Sequence, residues 1–130
     1  MDPVALARLN AGFRDLLAEL LERRVRDPRV EGVSVTTVEV SRDLSVAKVF
    51  YSVLGDEEAR RVAQRGLENV SGFLRREAGR RLRLRSTPEL RFLFDASLER
   101  GARLEELLRE IREQDEQAAR ERAPEEPEDG

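Results

Sequence analysis

Six arginines fall within eleven positions of this 130-residue chain: Arg75, Arg76, Arg80, Arg81, Arg83 and Arg85. Only Glu77 opposes them inside that span. Arginine stays charged at every physiological pH and presents a planar fork of donors that matches phosphate oxygens. The run starts in a helical pattern and leads into an apolar strand pattern, so its charges are tied to folded structure. Chemistry of this kind is phosphate recognition, the electrostatic footprint of a nucleic-acid surface. The plainer reading of a charge run is a solvated helix face; the density and the adjacent glycine favour RNA. Arg42, Lys48 and Arg91 are secondary RNA-binding candidates.

The totals conceal this cluster. Net charge is −3, which by itself suggests no polyanionic partner. The charge is segregated, however: residues 110–130 hold nine acids against three arginines, leaving 21 bases and 18 acids in residues 1–109. Local field decides what a surface attracts. Cysteine and histidine are both absent, which removes disulfides, thiolate and imidazole metal sites, and every nucleophilic triad built on them. The carboxylates left for acid–base or metal chemistry are Asp43 and Asp95, and turn formation or capping accounts for both. No catalytic residue, metal site or cofactor is expected. Lys48 is the one lysine among 24 basic residues, a bias that codon usage explains better than function.

The elements that must position the arginines follow from periodicity. Residues 4–26 read as an amphipathic helix through Leu9, Phe13, Leu16, Leu17, Leu20 and Val25, stopped by Asp27-Pro28. Residues 33–40 and 46–54 read as antiparallel strands; where the valines switch parity at Thr36-Thr37, either both faces are partly covered or a bulge lies there, the bulge being slightly favoured. A second helical pattern opens after Gly55 and carries Ala63, Gly66, Leu67 and Val70 inward. Ser71-Gly72 interrupts it, which predicts two helices meeting at an angle near Gly72. Leu90, Phe92 and Phe94 alternate as a third strand. These aromatics and Tyr51 are assigned to the core, so no base-stacking platform is expected on the sheet. A last helix is expected through Leu98, Leu104, Leu107, Leu108 and Ile111. Beyond Gln114 the composition predicts disorder. The organisation is therefore one α+β domain over residues 1–113 and a disordered acidic tail over 114–130. A leader-like N-terminus is lacking, so a cytoplasmic protein is expected.

Helix, strand, strand, helix, helix, strand is the order of a type II KH domain, an RNA-binding fold, with a three-stranded sheet packed on helices. Arg26-Asp27-Pro28-Arg29, Ser41-Arg42-Asp43-Leu44, Ala47-Lys48-Val49, Gly72-Phe73-Leu74-Arg75 and Arg85-Ser86-Thr87-Pro88-Glu89-Leu90 occur in series, followed by Phe92-Leu93-Phe94-Asp95-Ala96-Ser97-Leu98. Together they resemble the bacterial ribosome-binding factor A family, over most of residues 4–108. The resemblance implies a non-enzymatic assembly factor that binds the immature 30S subunit and 16S rRNA, in precursor or free form. It further implies a role in late maturation of the 5′-end region of that RNA, most needed in the cold. Assembly GTPases are further partners it suggests; a monomer with no membrane partner is expected. The family replaces the KH Gly-x-x-Gly loop by an interhelical kink, usually Ala-x-Gly. Val70-Ser71-Gly72 stands there, with valine in place of alanine, and adds Ser71 and Gly72 to the RNA-binding residues. The rival readings are a protein–protein adaptor without RNA contact and an RNA-processing enzyme.

Overall fold

The computed structural model describes residues 1–122. Two compact units make up the chain, one of residues 1–95 and one beginning at Ala96.

In the first unit, α1 spans Pro3–Arg23. The Asp2 side chain accepts from the Val4 and Ala5 amides at 2.9 Å, and Pro3 occupies the first turn, where no amide hydrogen is needed. Phe13, Leu16, Leu17, Leu20 and Leu21 form its buried stripe. The helix stops three residues before the expected end. The Val25 amide turns back to the Leu20 carbonyl, and Val25 packs partly against the core. A short 3₁₀ turn, Pro28–Val30, then anchors the connection through buried Val30.

Strands β1 (Ser34–Val40) and β2 (Val46–Ser52) pair antiparallel, and β3 (Glu89–Phe94) lies parallel to β2, in the order β1-β2-β3. The register slips between Val35 and Thr37, so the bulge is present. It lets Val35 and Val38 both face the core although their spacing is odd. Ala47, Val49, Tyr51, Leu90 and Phe92 are buried on the same face. The Tyr51 hydroxyl donates to Gln64 Oε1 at 2.6 Å, and Gln64 Nε2 donates to the Phe92 carbonyl. Tyr51 and Phe92 thus belong to the core, as expected, and Phe94 packs partly against it; Phe50, on the other face of the sheet, is half-buried.

Helix α2 (Glu57–Arg81) crosses over from β2 to parallel β3. Asp56 caps it, and Glu57 and Glu58 stand at the positive end of its dipole. Two helices meeting near Gly72 are not found: α2 runs uninterrupted through that residue. A helix-interior glycine costs only about 1 kcal/mol. The burial of Leu67, Leu74 and Ala78 on both sides of Gly72 outweighs it.

The second unit contains α3 (Ser97–Arg122), which passes the Gln114 boundary beyond which disorder is expected. Residues 114–122 lack large apolar groups, but Ala118, Ala119 and the i,i+4 pair Glu116 and Arg120 favour helix without burial. The remaining residues of the expected acidic tail, 123–130, lie outside the described residues. No helix among the described residues is long and apolar enough to cross a membrane.

Candidate nucleic-acid interface

The face of α2 turned away from the sheet carries Arg65, Asn69, Gly72, Arg76 and Arg80, all exposed, at spacings of four, three, four and four. Such spacing aligns side chains along one helical ridge. Arg76 and Arg80 on it stand about 6 Å apart along the axis, and Arg65 about 16 Å before Arg76; the first spacing is close to the separation of neighbouring phosphates on a nucleic-acid strand. Gly72 shapes the middle of the ridge. A Cβ there would lie 3.4 Å from Arg76 Nη1, so the guanidinium of Arg76 rests back over the bare glycine backbone. Ser71, beside it, is half-buried.

The six clustered arginines separate into distinct roles. Arg75 is turned to internal use: Nε donates to the Pro88 carbonyl at 3.1 Å and Nη2 to the Thr87 carbonyl at 3.0 Å. It clamps residues 82–88 onto α2. The clamp closes over Gly79, where any Cβ would strike Thr87 Oγ1. Arg80 and Arg81 share one carboxylate. Glu77 Oε2 accepts from Arg80 Nη2 at 2.8 Å and from Arg81 Nε at 3.3 Å. Arg81 also reaches Glu19 of α1 at 3.9 Å and is only 29% exposed, against 67% for Arg80. Arg81 therefore ties α2 to α1, while Arg80 stays on the outer face. Arg76, Arg83 and Arg85 are exposed and have no ion pair among the described residues. Arg65 shares that property. Sequence reading passed over it because it lies outside the dense run, although its seven-residue separation from Gly72 places it on the same helical face.

The Arg80 hydrogen bond, with Arg81 adding to it, holds the Glu77 carboxyl below its ordinary range against an opposing burial effect. Glu77 therefore cancels one positive charge in the middle of the cluster. Glu77→Gln is expected to tighten binding to generic single-stranded RNA roughly threefold to tenfold near 50 mM salt, with the gain fading by about 200 mM. Fluorescence anisotropy titrations measure this directly. Unchanged affinity would show that Arg80 does not face RNA.

Arg83 adopts φ 53°, the left-handed conformation that favours glycine. It follows the α2 cap residue Leu82. The Leu84 amide bonds the Gly79 carbonyl at 2.9 Å and the Arg83 amide the Arg80 carbonyl at 3.4 Å, the double closure usually built around glycine. Leu82 and Leu84 pack partly on the core, leaving the Arg83 and Arg85 side chains in solvent. An arginine held at a glycine position is a cost of order 1 kcal/mol. Arg83→Gly is expected to raise unfolding stability by about 0.5–1 kcal/mol while weakening RNA binding. Urea unfolding and RNA titration of one variant read both effects, and a destabilised variant would contradict the account.

The secondary candidates do not join this face. Lys48 and Arg91 are cross-strand neighbours on the open side of the sheet, and Arg91 pairs with Glu89 at 3.6 Å. Arg42 lies in the β1–β2 turn and lines a small cavity with the N-terminal end of α1. The two carboxylates considered for catalysis stand at opposite ends of the sheet. Asp43 precedes the start of β2 and accepts from Ser41 and Ser45, which hold its carboxyl down at about 2. Asp95 follows the end of β3 and accepts from Thr36 Oγ1 at 2.6 Å. A strand of six residues separates these ends by about 17 Å, too far for a shared proton or metal.

Residues 5–108 match the family model described as ribosome-binding factor A. Ribosome-binding factor A of Halothermothrix orenii is 45% identical over 109 residues, covering 84% of this chain and 89% of that protein. The crystal structure of ribosome-binding factor A from Thermus thermophilus superposes with a TM-score of 0.60 at 34% identity, covering 68% of this chain and 93% of that one. Coordinates of the Thermus thermophilus factor fitted into the cryo-electron microscopy map of a 30S complex give a TM-score of 0.56 at 32% identity, covering 67% and 91%. The arginine-bearing helix, its glycine and the loop that follows all fall within the matched span, and the chain belongs to the ribosome-binding factor A family.

Proposed function

We propose that the chain is a non-enzymatic assembly factor that binds the immature small ribosomal subunit, with the α2 ridge gripping phosphates of its 16S rRNA. The observation that carries this is the set Arg76, Arg83 and Arg85: exposed, unpaired among the described residues, and placed on the last turns of α2 and the loop that follows it. Arg65 and Arg80 extend the grip along α2, and Arg75 acts as a positioning residue that holds the loop. Ser71 and Gly72 provide the low point of the ridge, across which the Arg76 guanidinium lies to meet the backbone of the RNA. The related Thermus factor fitted into a 30S complex supports the choice of target.

The mechanism needs no bond chemistry. Contacts made preferentially with one rRNA conformation shift its population toward that conformation, in this case a late-stage arrangement of the 5′-end region. The need is greatest in the cold, when misfolded RNA escapes slowly. Recognition through phosphates and shape fits a sheet that buries Tyr51 and Phe92 and exposes no aromatic fully.

Pelleting purified protein with precursor and mature small subunits tests the reading. Co-sedimentation favouring precursor subunits, lost between about 50 and 200 mM salt, is the expected result. Binding indifferent to salt would support the adaptor reading, and metal-dependent cleavage of precursor rRNA would support the enzyme.

A further inference from the structure

Next to Gly72, α2 forms one wall of a cavity of about 350 Å³. Asn69, Val70 and Phe73 line it from the helix, and residues 24–28, just after α1, form the facing wall. Phe73 is half-buried, and the Arg24 guanidinium lies 5.9 Å from the centre of its ring. Arg24 and Arg26 are exposed and without an ion pair among the described residues. The one acid in the lining is neutralised. Asp27 receives Arg29 Nε at 3.0 Å and Arg29 Nη2 at 2.7 Å, with a further donation from Asn69, and is held at about 2.

We propose that this cavity takes one unpaired nucleotide of the bound RNA, its base packed against Phe73 and the Arg24 guanidinium plane and its flanking phosphates on Arg26 and the α2 ridge. The inference rests on the reading of α2 as an RNA face and adds a base-sized subsite to it. Three features select a nucleotide. An aromatic ring and a guanidinium plane are the two surfaces on which extruded bases stack. Two uncompensated arginines on the rim complement phosphate, while Arg29 pairs with the ionised Asp27 and offsets the charge that would repel it. The cavity also adjoins Ser71 and Gly72, so a strand lying along the ridge passes its mouth. Tyr51 and Phe92 are buried in the core and Phe50 and Phe94 lie on the sheet, which leaves Phe73 as the aromatic carried by α2 itself.

The test uses the full chain and two RNA hairpins, one fully paired and one carrying a single bulged 2-aminopurine. The expected result is about tenfold tighter binding to the bulged hairpin, with its fluorescence quenched by stacking. Phe73→Leu and Arg24→Gln should each reduce that preference toward unity and restore the fluorescence; Phe73→Leu should leave affinity for the paired hairpin unchanged, while Arg24→Gln should weaken both hairpins slightly through its lost charge. Arg24→Gln alters an exposed side chain, so it keeps the test valid even if Phe73→Leu lowers thermal stability. A combined Arg76→Ala and Arg83→Ala variant should weaken both hairpins equally and preserve their ratio. Equal wild-type affinity for the two hairpins, or quenching that survives Phe73→Leu and Arg24→Gln, overturns the subsite. Full binding of both hairpins by the Arg76→Ala and Arg83→Ala variant overturns the ridge instead, and so separates the two failures.

Discussion

Alanine at Arg76, Arg83 and Arg85 together is expected to lower affinity for small-subunit rRNA about 100-fold near 0.1 M salt, roughly 1 kcal/mol for each screened phosphate contact. The slope of log affinity against log salt should become shallower by about 2–3, because each neutralised phosphate contributes about 0.7–0.9. These three side chains carry the largest effect because they are exposed and have no ion pair among the described residues. Other members of the cluster behave differently. Arg81→Ala breaks ties to Glu77 and Glu19 and should affect stability more than binding. Arg75→Ala should release residues 82–88 and weaken RNA binding through displacement of Arg83 and Arg85, with thermal stability falling as well. Anisotropy titrations across a salt series, with circular dichroism melts of each variant, distinguish these outcomes. A triple variant with unaltered slope would mean that the exposed arginines do not meet phosphate.

The second large effect concerns stability and falls on Gly66. A Cβ at that position would lie 2.7 Å from Arg29 Cβ and 2.9 Å from Val30 Cγ1. Neither atom is the free end of a flexible side chain, so the 3₁₀ turn as a whole would have to move. That turn is pinned by buried Val30 and by the Asp27–Arg29 pair. Gly66→Ala gains about 1 kcal/mol of helix propensity, which overpacking of about 1–3 kcal/mol exceeds. Gly66→Leu cannot be accommodated without separating the turn from α2, and should cost more than about 3 kcal/mol. For a unit of this size that lowers Tm by more than about 12 °C. A Gly66→Ala variant melting at or above the wild-type temperature would show that the close approach is not a constraint.

The sheet was readable because its pattern has period two. Valines and aromatics alternate in β2 and β3, and the parity change after Thr36 is compatible with a bulge or with a strand covered on both faces, a choice that only the register with β2 decides. The continuity of α2 was not readable in the same way. Ser71-Gly72 is a local break signal, whereas the burial that overrides it depends on Leu67 and Leu74 meeting strands far away in sequence. The length of α3 was underestimated for a related reason: composition without large apolar groups argues against a core, not against helix. Of the site, the cluster and its helix were legible, but not the separate tasks of its members. Arg75 and Arg76 are neighbours of identical type. One faces the returning loop and is consumed by two carbonyls, and the other lies over Gly72 in solvent. That distinction arises where residues 82–88 fold back, which no periodicity reports. Arg24 and Arg26 escaped notice because they reach Phe73 and Asn69 only through the packing of α1 on α2.

The absence of cysteine makes the most direct measurement a clean one, since a single introduced thiol carries a probe at one known place. An iron chelate attached through Gly72→Cys would release hydroxyl radicals at the centre of the ridge, and one attached through Thr37→Cys would release them from the open face of the sheet. With precursor small subunits bound, cleavage of 16S rRNA should cluster in one region from position 72 and be absent or weak from position 37. Strong cleavage from position 37 with none from position 72 would contradict the account.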